Sequence, residues 1–503
     1  MEFAPVFEKI NYDLDKGRIK EQIKAECKTD VRAETVGTVL GVWCSPFVDG
    51  GDLLDGKVGY SGRALFYISY LDLDGNVRKV ECGNEFTGVI KDSGVESSDR
   101  AFLSANVDRV DADTSGAFLS VSAYLTVSAD LTSPTHVSAL TSGENLVVDA
   151  FEIEQIKGIG EKTAVYPLEE QFELAYPVAE VLNYTASAVI TAAQCGVGSI
   201  IVDGEVLLSL IVLQKNDKRD IIKENKTLPF RAEIDFEEAM PQMQAQVMVK
   251  ERSFKLDVSV DAETGKSTVN ASVGLKFIGR AFKSENLTLA KDVFSVDNEI
   301  EIERAEFDCV KHCEQRTLTA TVKGRAITDE LPIGAGVLAL SNEKVEITEQ
   351  SCGENSVKFT GVLTATAFLR DGEFKPFVKK VEIPFECVFD TAISCGANIM
   401  VKVNATGGKA KIISATEIEL EATLNFTVYP TEKCSYSVVK GLKTIGEKNR
   451  NQSAISVYIP TEGEDLWSLS KRLNVCPESL MESNRELCFP LKGDERIVIY
   501  RQK

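Results

Sequence analysis

Cys309, His312 and Cys313 form a C-x-x-H-C cluster, and two thiolates with an imidazole are side chains that suit a zinc ion. A closed structural site needs a fourth ligand, and none stands nearby in the sequence. On a strand, His312 and Cys313 would point to opposite faces, so ordinary packing explains the cluster better than a metal does. Asp72-x-Asp74-Gly75-Asn76 opens like a calcium loop but lacks the distal glutamate, and reads as a hairpin turn. Nucleophile and base chemistry usually recruits histidine. This chain contains only His136 and His312, in unlike contexts. It has no G-x-S-x-G elbow, no Walker phosphate loop and no H-E-x-x-H helix. The scattered carboxylates offer no recognisable acid–base pair of the kind a wall hydrolase uses. The sequence therefore predicts no enzyme, no catalytic residue, no metal and no cofactor.

The elements around these residues must come from several domains, because single cores stop growing near 250–300 residues and this chain has 503. Apolar residues make up 44% and charged residues 26%, a globular balance. A formal net charge of −21 without a dense Lys/Arg block argues against nucleic acid as a partner and disfavours anionic lipid. The N-terminal residues lack a basic region followed by an apolar stretch, so no secretory signal is expected. The greasiest segment, SIIVDGEVLLSLIVLQ, carries Asp203 and Glu205 and is too short to span a bilayer. Twelve cysteines without a C-x-x-C pair suit buried small hydrophobes in a reducing compartment.

An internal repeat organises the chain. Strings beginning at Tyr60, Val202 and Val357 align so that Gly62, Gly204 and Gly361 are equivalent, as are Phe86, Phe230 and Phe385, at Gly-to-Phe spacings of 24, 26 and 24 residues. Val39-Leu40, Val181-Leu182 and Val337-Leu338 lie upstream; Val110-Asp111-Ala112, Val260-Asp261-Ala262 and Val403-Asn404-Ala405 lie downstream. A period of 140 to 160 residues is far longer than a solenoid unit, so each copy should hold its own core. Val381, Ile383, Phe385, Cys387 and Phe389 alternate with more polar neighbours, the period of a strand. Hairpin turns are expected at Asp74-Gly75 and Asp371-Gly372, with Lys215-Asn216-Asp217 in the second copy. Ile19, Ile23, Ala25 and Cys27 share strand parity, although 19, 23 and 27 would also line a helix; a strand is favoured. RTLTATVKGRAI at 316–327 reads as an extra strand.

After the polar stretch 446–453 the character changes. ISVYIP reads as a strand; Leu466, Leu469, Ser470 and Leu473 mark a short helix that Asp465 can cap. Pro477 opens a second helix, Asn484 falls in the turn after it, and RIVIY closes the unit. The expected fold is mainly β: three tandem β-rich, sandwich-like modules at 1–150, 151–300 and 301–445, then a small βααβ domain at 455–503.

This last unit resembles the LysM domain at Gly463, Leu466, Trp467, Lys471, Leu480, Asn484, Gly493 and Ile499, with Glu464 and Asp465 where that family has an acid and a threonine. The resemblance implies a shallow groove for N-acetylated glycans between the loops 462–467 and 484–491. Its candidate contacts are Glu462, Gly463, Glu464, Asp465, Leu466, Trp467, Asn484, Phe489 and Leu491. Core packing is the alternative for Trp467, Leu469 and Leu473, and a turn for Asn484. Three carboxylates in the first loop supply few donors for sugar acetamides, which favours protein over glycan. Tandem β modules with strings such as ELAYPVAEVL and VDGEVLLSLIVL, ending in LysM, resemble the SPOCS (DUF3794) family of endospore-forming Firmicutes. That resemblance implies a spore-coat morphogenetic scaffold made in the mother-cell cytoplasm and assembling on the forespore surface. Its partners would be the coat-basement ATPase and other coat proteins, or the N-acetylglucosamine glycan of peptidoglycan.

Overall fold

Alternating apolar and polar residues dominate the chain, and they fold as antiparallel strands that each bury one face. The computed structural model describes residues 4–216, 220–353, 355–391, 393, 398–448 and 455–500. The chain lays down the same pairing order three times. In the first set, β1 (Ala4–Arg32) pairs with β6 (Phe118–Glu144), which also pairs with β5 (Arg100–Asp113). Between β1 and β5, the strands β2 (Val36–Leu54), β3 (Lys57–Asp72) and β4 (Val77–Lys91) form a meander. The second set places β7 (Val147–Leu174) and β11 (Gln244–Val260) on either side of β12 (Ser267–Phe294). Its meander is β8 (Val178–Cys195), β9 (Ser199–Gln214) and β10 (Ile221–Asp235).

In the third set the first strand is split into β13 (Asn298–His312) and β14 (Arg316–Ile327). Both halves pair with β19 (Glu417–Glu447), whose other side takes β18 (Asn398–Ser414). The meander is β15 (Gly336–Cys352), β16 (Ser356–Arg370) and β17 (Pro376–Asp390). No helix of the described residues is long and apolar enough to cross a membrane.

The three glycines that align in sequence sit at the middle of the central meander strands, directly opposite the three aligned phenylalanines: Gly62 with Phe86, Gly204 with Phe230, Gly361 with Phe385. Each ring lies over the bare backbone of its glycine. A Cβ on Gly204 would come within 2.5 Å of both the Phe230 ring and the Val189 carbonyl oxygen; Phe47 and Glu346 present the same carbonyl to Gly62 and Gly361. The upstream landmarks converge too, with Leu40, Leu182 and Leu338 in one shared apolar cluster. The downstream matches do not. Val110 pairs with Ala123, Val260 with Ser267 at its hairpin end, and Val403 with Phe426, so those strings hold different places in their strands.

The expected turns need a similar adjustment. Asp72 and Asp371, ten residues after the aligned glycines, are the equivalent turn residues. Asp72 Oδ1 accepts from the backbone N–H of Asp74 (3.0 Å) and Asn76 (2.8 Å), and Asp371 Oδ1 from Glu373 and Lys375 (both 2.9 Å). Three residues on, both turns place a left-handed residue, Gly75 (φ 79°) and Phe374 (φ 65°), the geometry of a type I turn closed by a bulge. Gly372 is not the left-handed residue. Asp217 of the second turn lies outside the described residues.

Strands of 27 to 31 residues, such as β6 and β19, exceed the usual five or six because each runs from its own sandwich core into cores shared between the sets. The first strand of each set is interrupted opposite the same stretch of its partner: by Lys16 in β1, by Ile159 in β7, and by the β13–β14 break at 313–315. An inserted residue flips which parity faces inward. Thus Ile19, Ile23 and Ala25 point into the first sandwich, whereas Ile10 of the same strand points into a separate hub. Leu168 and Ile153 show the same flip in the second set. The hub contains Ile10, Ala139, Ile153, Leu289, Phe307 and Val438, one residue from each of six strands. The meanders close a cycle, β3 on β8, β10 on β15 and β17 on β2, over a core that includes Leu40, Trp43, Leu182, Ile211, Ala339 and Phe368.

Candidate functional site

The last described residues form a small unit: β20 (Ile455–Tyr458), α1 (Leu466–Leu473), α2 (Pro477–Ser483) and β21 (Ile497–Tyr500), with β20 antiparallel to β21. Asp465 starts α1 because its carboxylate accepts the Ser468 N–H at 2.9 Å, and Pro477 opens α2 where a missing N–H costs nothing. Leu469, Val475, Leu480, Leu491, Ile497 and Ile499 make a compact core.

Most of the candidate groove residues are committed to this unit. Leu491 is buried in the core, and Leu466 and Phe489 pack against it. The two loops are fastened together, Gly463 N–H donating to the Leu491 carbonyl at 2.8 Å and Leu491 N–H to the Glu464 carbonyl at 3.0 Å. Gly463 (φ 83°) and Gly493 (φ 90°) allow this closure. The Glu464 carboxylate accepts the Thr461 N–H at 3.2 Å and meets Arg472. Asn484 clamps β21: its amide donates to the Leu480 and Val498 carbonyls (2.8 and 2.7 Å) and accepts the Val498 N–H at 2.7 Å. Glu462 and Gly463 are exposed at the loop surface.

Trp467 leaves the unit altogether. Its indole N–H donates to Asp292 of β12 at 2.9 Å, and its ring stands edge-on to Phe294 with centroids 5.2 Å apart. Lys471 donates to the same Asp292 oxygen at 2.6 Å, and Arg304 to the other at 2.8 Å. Burial alone would raise the Asp292 carboxyl, but the bonds from Lys471 and Trp467 outweigh it and hold the group below its ordinary value. Asp292 thus anchors the unit to the second strand set, a role invisible in sequence because 175 residues separate it from Trp467.

The sequence reading also missed the outer face of the two-stranded sheet. Ile455, Val457, Ile459 and Tyr500 are 59%, 62%, 67% and 59% exposed, and Tyr500 is the direct partner of Ile455. The alternation of 455, 457 and 459 was a usable signal.

The C-x-x-H-C cluster falls at the end of β13 and the strand break. The side chain of His312 lies outside the described residues, and no three metal-binding side chains converge among the described ones. Cys309 instead lines a cavity of about 210 Å³ beside the hub, with Tyr12, His136, Cys434 and Tyr436. Burial and then the neighbouring Cys434 push its thiol up to about 11. Comparison with protein-family models, with curated proteins and with solved structures finds no match for this chain.

Proposed function

We propose that the chain is a non-catalytic scaffold of the spore envelope. In this reading the three strand sets are tandem SPOCS-like modules, and residues 455–503 are a LysM-like head that binds the coat-basement ATPase and so tethers coat to forespore. The observation that carries the protein-docking role is the exposed set Ile455 and Val457 of β20, Ile459 just beyond it, and Tyr500 of β21. Removing apolar area of this kind from water contributes about 25 cal/mol per Å², so a flat hydrophobic face suits a protein partner. A glycan groove needs free polar groups with a few aimed donors. Here Glu464, Asp465 and Asn484 are engaged within the unit and Trp467 is engaged by Asp292.

The test is a paired retention assay, on immobilised ATPase and on purified cortex peptidoglycan, for the full chain and for a chain lacking 455–503. Retention on the ATPase that disappears with the deletion is expected. Retention on peptidoglycan instead, lost with the same deletion, would make the unit a wall-binding module; ATPase retention surviving the deletion would move the docking surface to the β modules.

A further inference from the structure

The first strand of the third set meets its last strand through two cysteines. Cys309 and Cys434 are direct partners in the antiparallel register of β13 and β19, and both thiols are free. Opposite residues in such a ladder have Cα atoms about 4.5 or 5.5 Å apart. Both values fall inside the roughly 4.4–6.8 Å that a disulfide accepts. Both cysteines also line the cavity of about 210 Å³ between the ribbons, which puts the two side chains on one face and leaves room for a small reagent. Cys313, just beyond β13, is a third thiol in the same neighbourhood.

We propose that Cys309 and Cys434 are a redox-active pair that hydrogen peroxide converts to a cross-strand disulfide. One thiolate attacks the peroxide, breaking its O–O bond to give a sulfenic acid and water. The second thiol displaces the sulfenic hydroxyl as water, forming the S–S bond. Two thiols are oxidised by two electrons and one peroxide is reduced to two waters. The bond clasps β13 to β19 beside the hub and closes a loop of 125 residues, which constrains the unfolded chain strongly. The elevated Cys309 thiol makes this a slow structural clasp, unlike the activated cysteine of a catalyst. The inference stands on the β13–β19 register and is independent of what the C-terminal unit binds.

The full-length chain is exposed to hydrogen peroxide, alkylated, and peptide-mapped without reduction. A crosslink joining the Cys309 and Cys434 peptides is expected, together with a rise in melting temperature that dithiothreitol reverses. In Cys434→Ser, the Cys309 sulfenic acid should persist and be trapped by dimedone. A crosslink through Cys313 instead, or oxidation of Cys309 to sulfinic acid without any crosslink in the wild-type chain, would overturn the assignment. The wild-type map decides the matter even if the serine variant folds poorly.

Discussion

Gly62, Gly204 and Gly361 leave no room for a side chain because an aromatic ring covers one side and a neighbouring carbonyl the other. Gly204→Ala must push Phe230 or the β8 backbone aside, an overpacking cost of about 1–3 kcal/mol. A lowered melting temperature in a thermal scan checks it. Gly75 is constrained differently, since a Cβ there meets nothing within 4 Å and the only penalty comes from φ 79°. Gly75→Ala should therefore cost about 1 kcal/mol in denaturant unfolding, and Gly75→Asn less, because asparagine tolerates the left-handed region. Gly62, Gly204 and Gly361 were legible in the sequence because a site closed on both sides admits few substitutes, so their spacing recurs in three copies. The groove candidates were less legible. Trp467 and Asn484 stand at positions of the LysM resemblance and Leu491 was a groove candidate, yet Asn484 and Leu491 are used up inside the unit and Trp467 is engaged by Asp292, 175 residues away in the chain.

Period-two patterning identified the strands, including β1 at Ile19 to Cys27 and β14 at residues 316–327. It did not fix the pairing register. Val-x-Ala strings recur in any half-buried strand, which is why Val110, Val260 and Val403 align in sequence and occupy different rungs. The parity flips at Lys16 and Ile159 were hidden as well, because a single inserted residue looks like noise until the partner strand is known. At the same scale, Asp292 should govern whether α1 stays docked on β12. Asp292→Ala removes the acceptor for Trp467, Lys471 and Arg304, at a cost of about 1.5–3 kcal/mol for hydrogen bonds to a charged group. The Trp467 emission should shift to the red. Because the folded carboxyl lies below its ordinary value of 3.8, the docking contribution is complete above that pH and fades as pH falls through the depressed value. Wild-type emission should follow that loss in acid, whereas Asp292→Asn should show no such step.

Three strand sets joined in a cycle share cores among the described residues: one under the meanders, one at the six-strand hub, and one beyond the hub around Leu140, Ala290, Val293 and Val439. The buried pair Lys223–Glu343 adds a polar link between the second and third sets. No sequence pattern announced this closure, since residues such as Leu40, Leu182 and Phe368 look like ordinary sandwich core until the sets are assembled. A body closed in this way leaves the C-terminal unit as an outlying head, with its apolar sheet face turned to solvent and its tryptophan face turned to β12. The most direct measurement is the affinity of full-length Val457→Glu for the proposed partner, the coat-basement ATPase, beside its melting temperature. Val457 is exposed, so the fold should be unchanged, while a charge in the middle of the exposed set should weaken binding at least tenfold, about 1.4 kcal/mol. Unchanged affinity in a normally folded variant would contradict the assignment of this face as the docking surface.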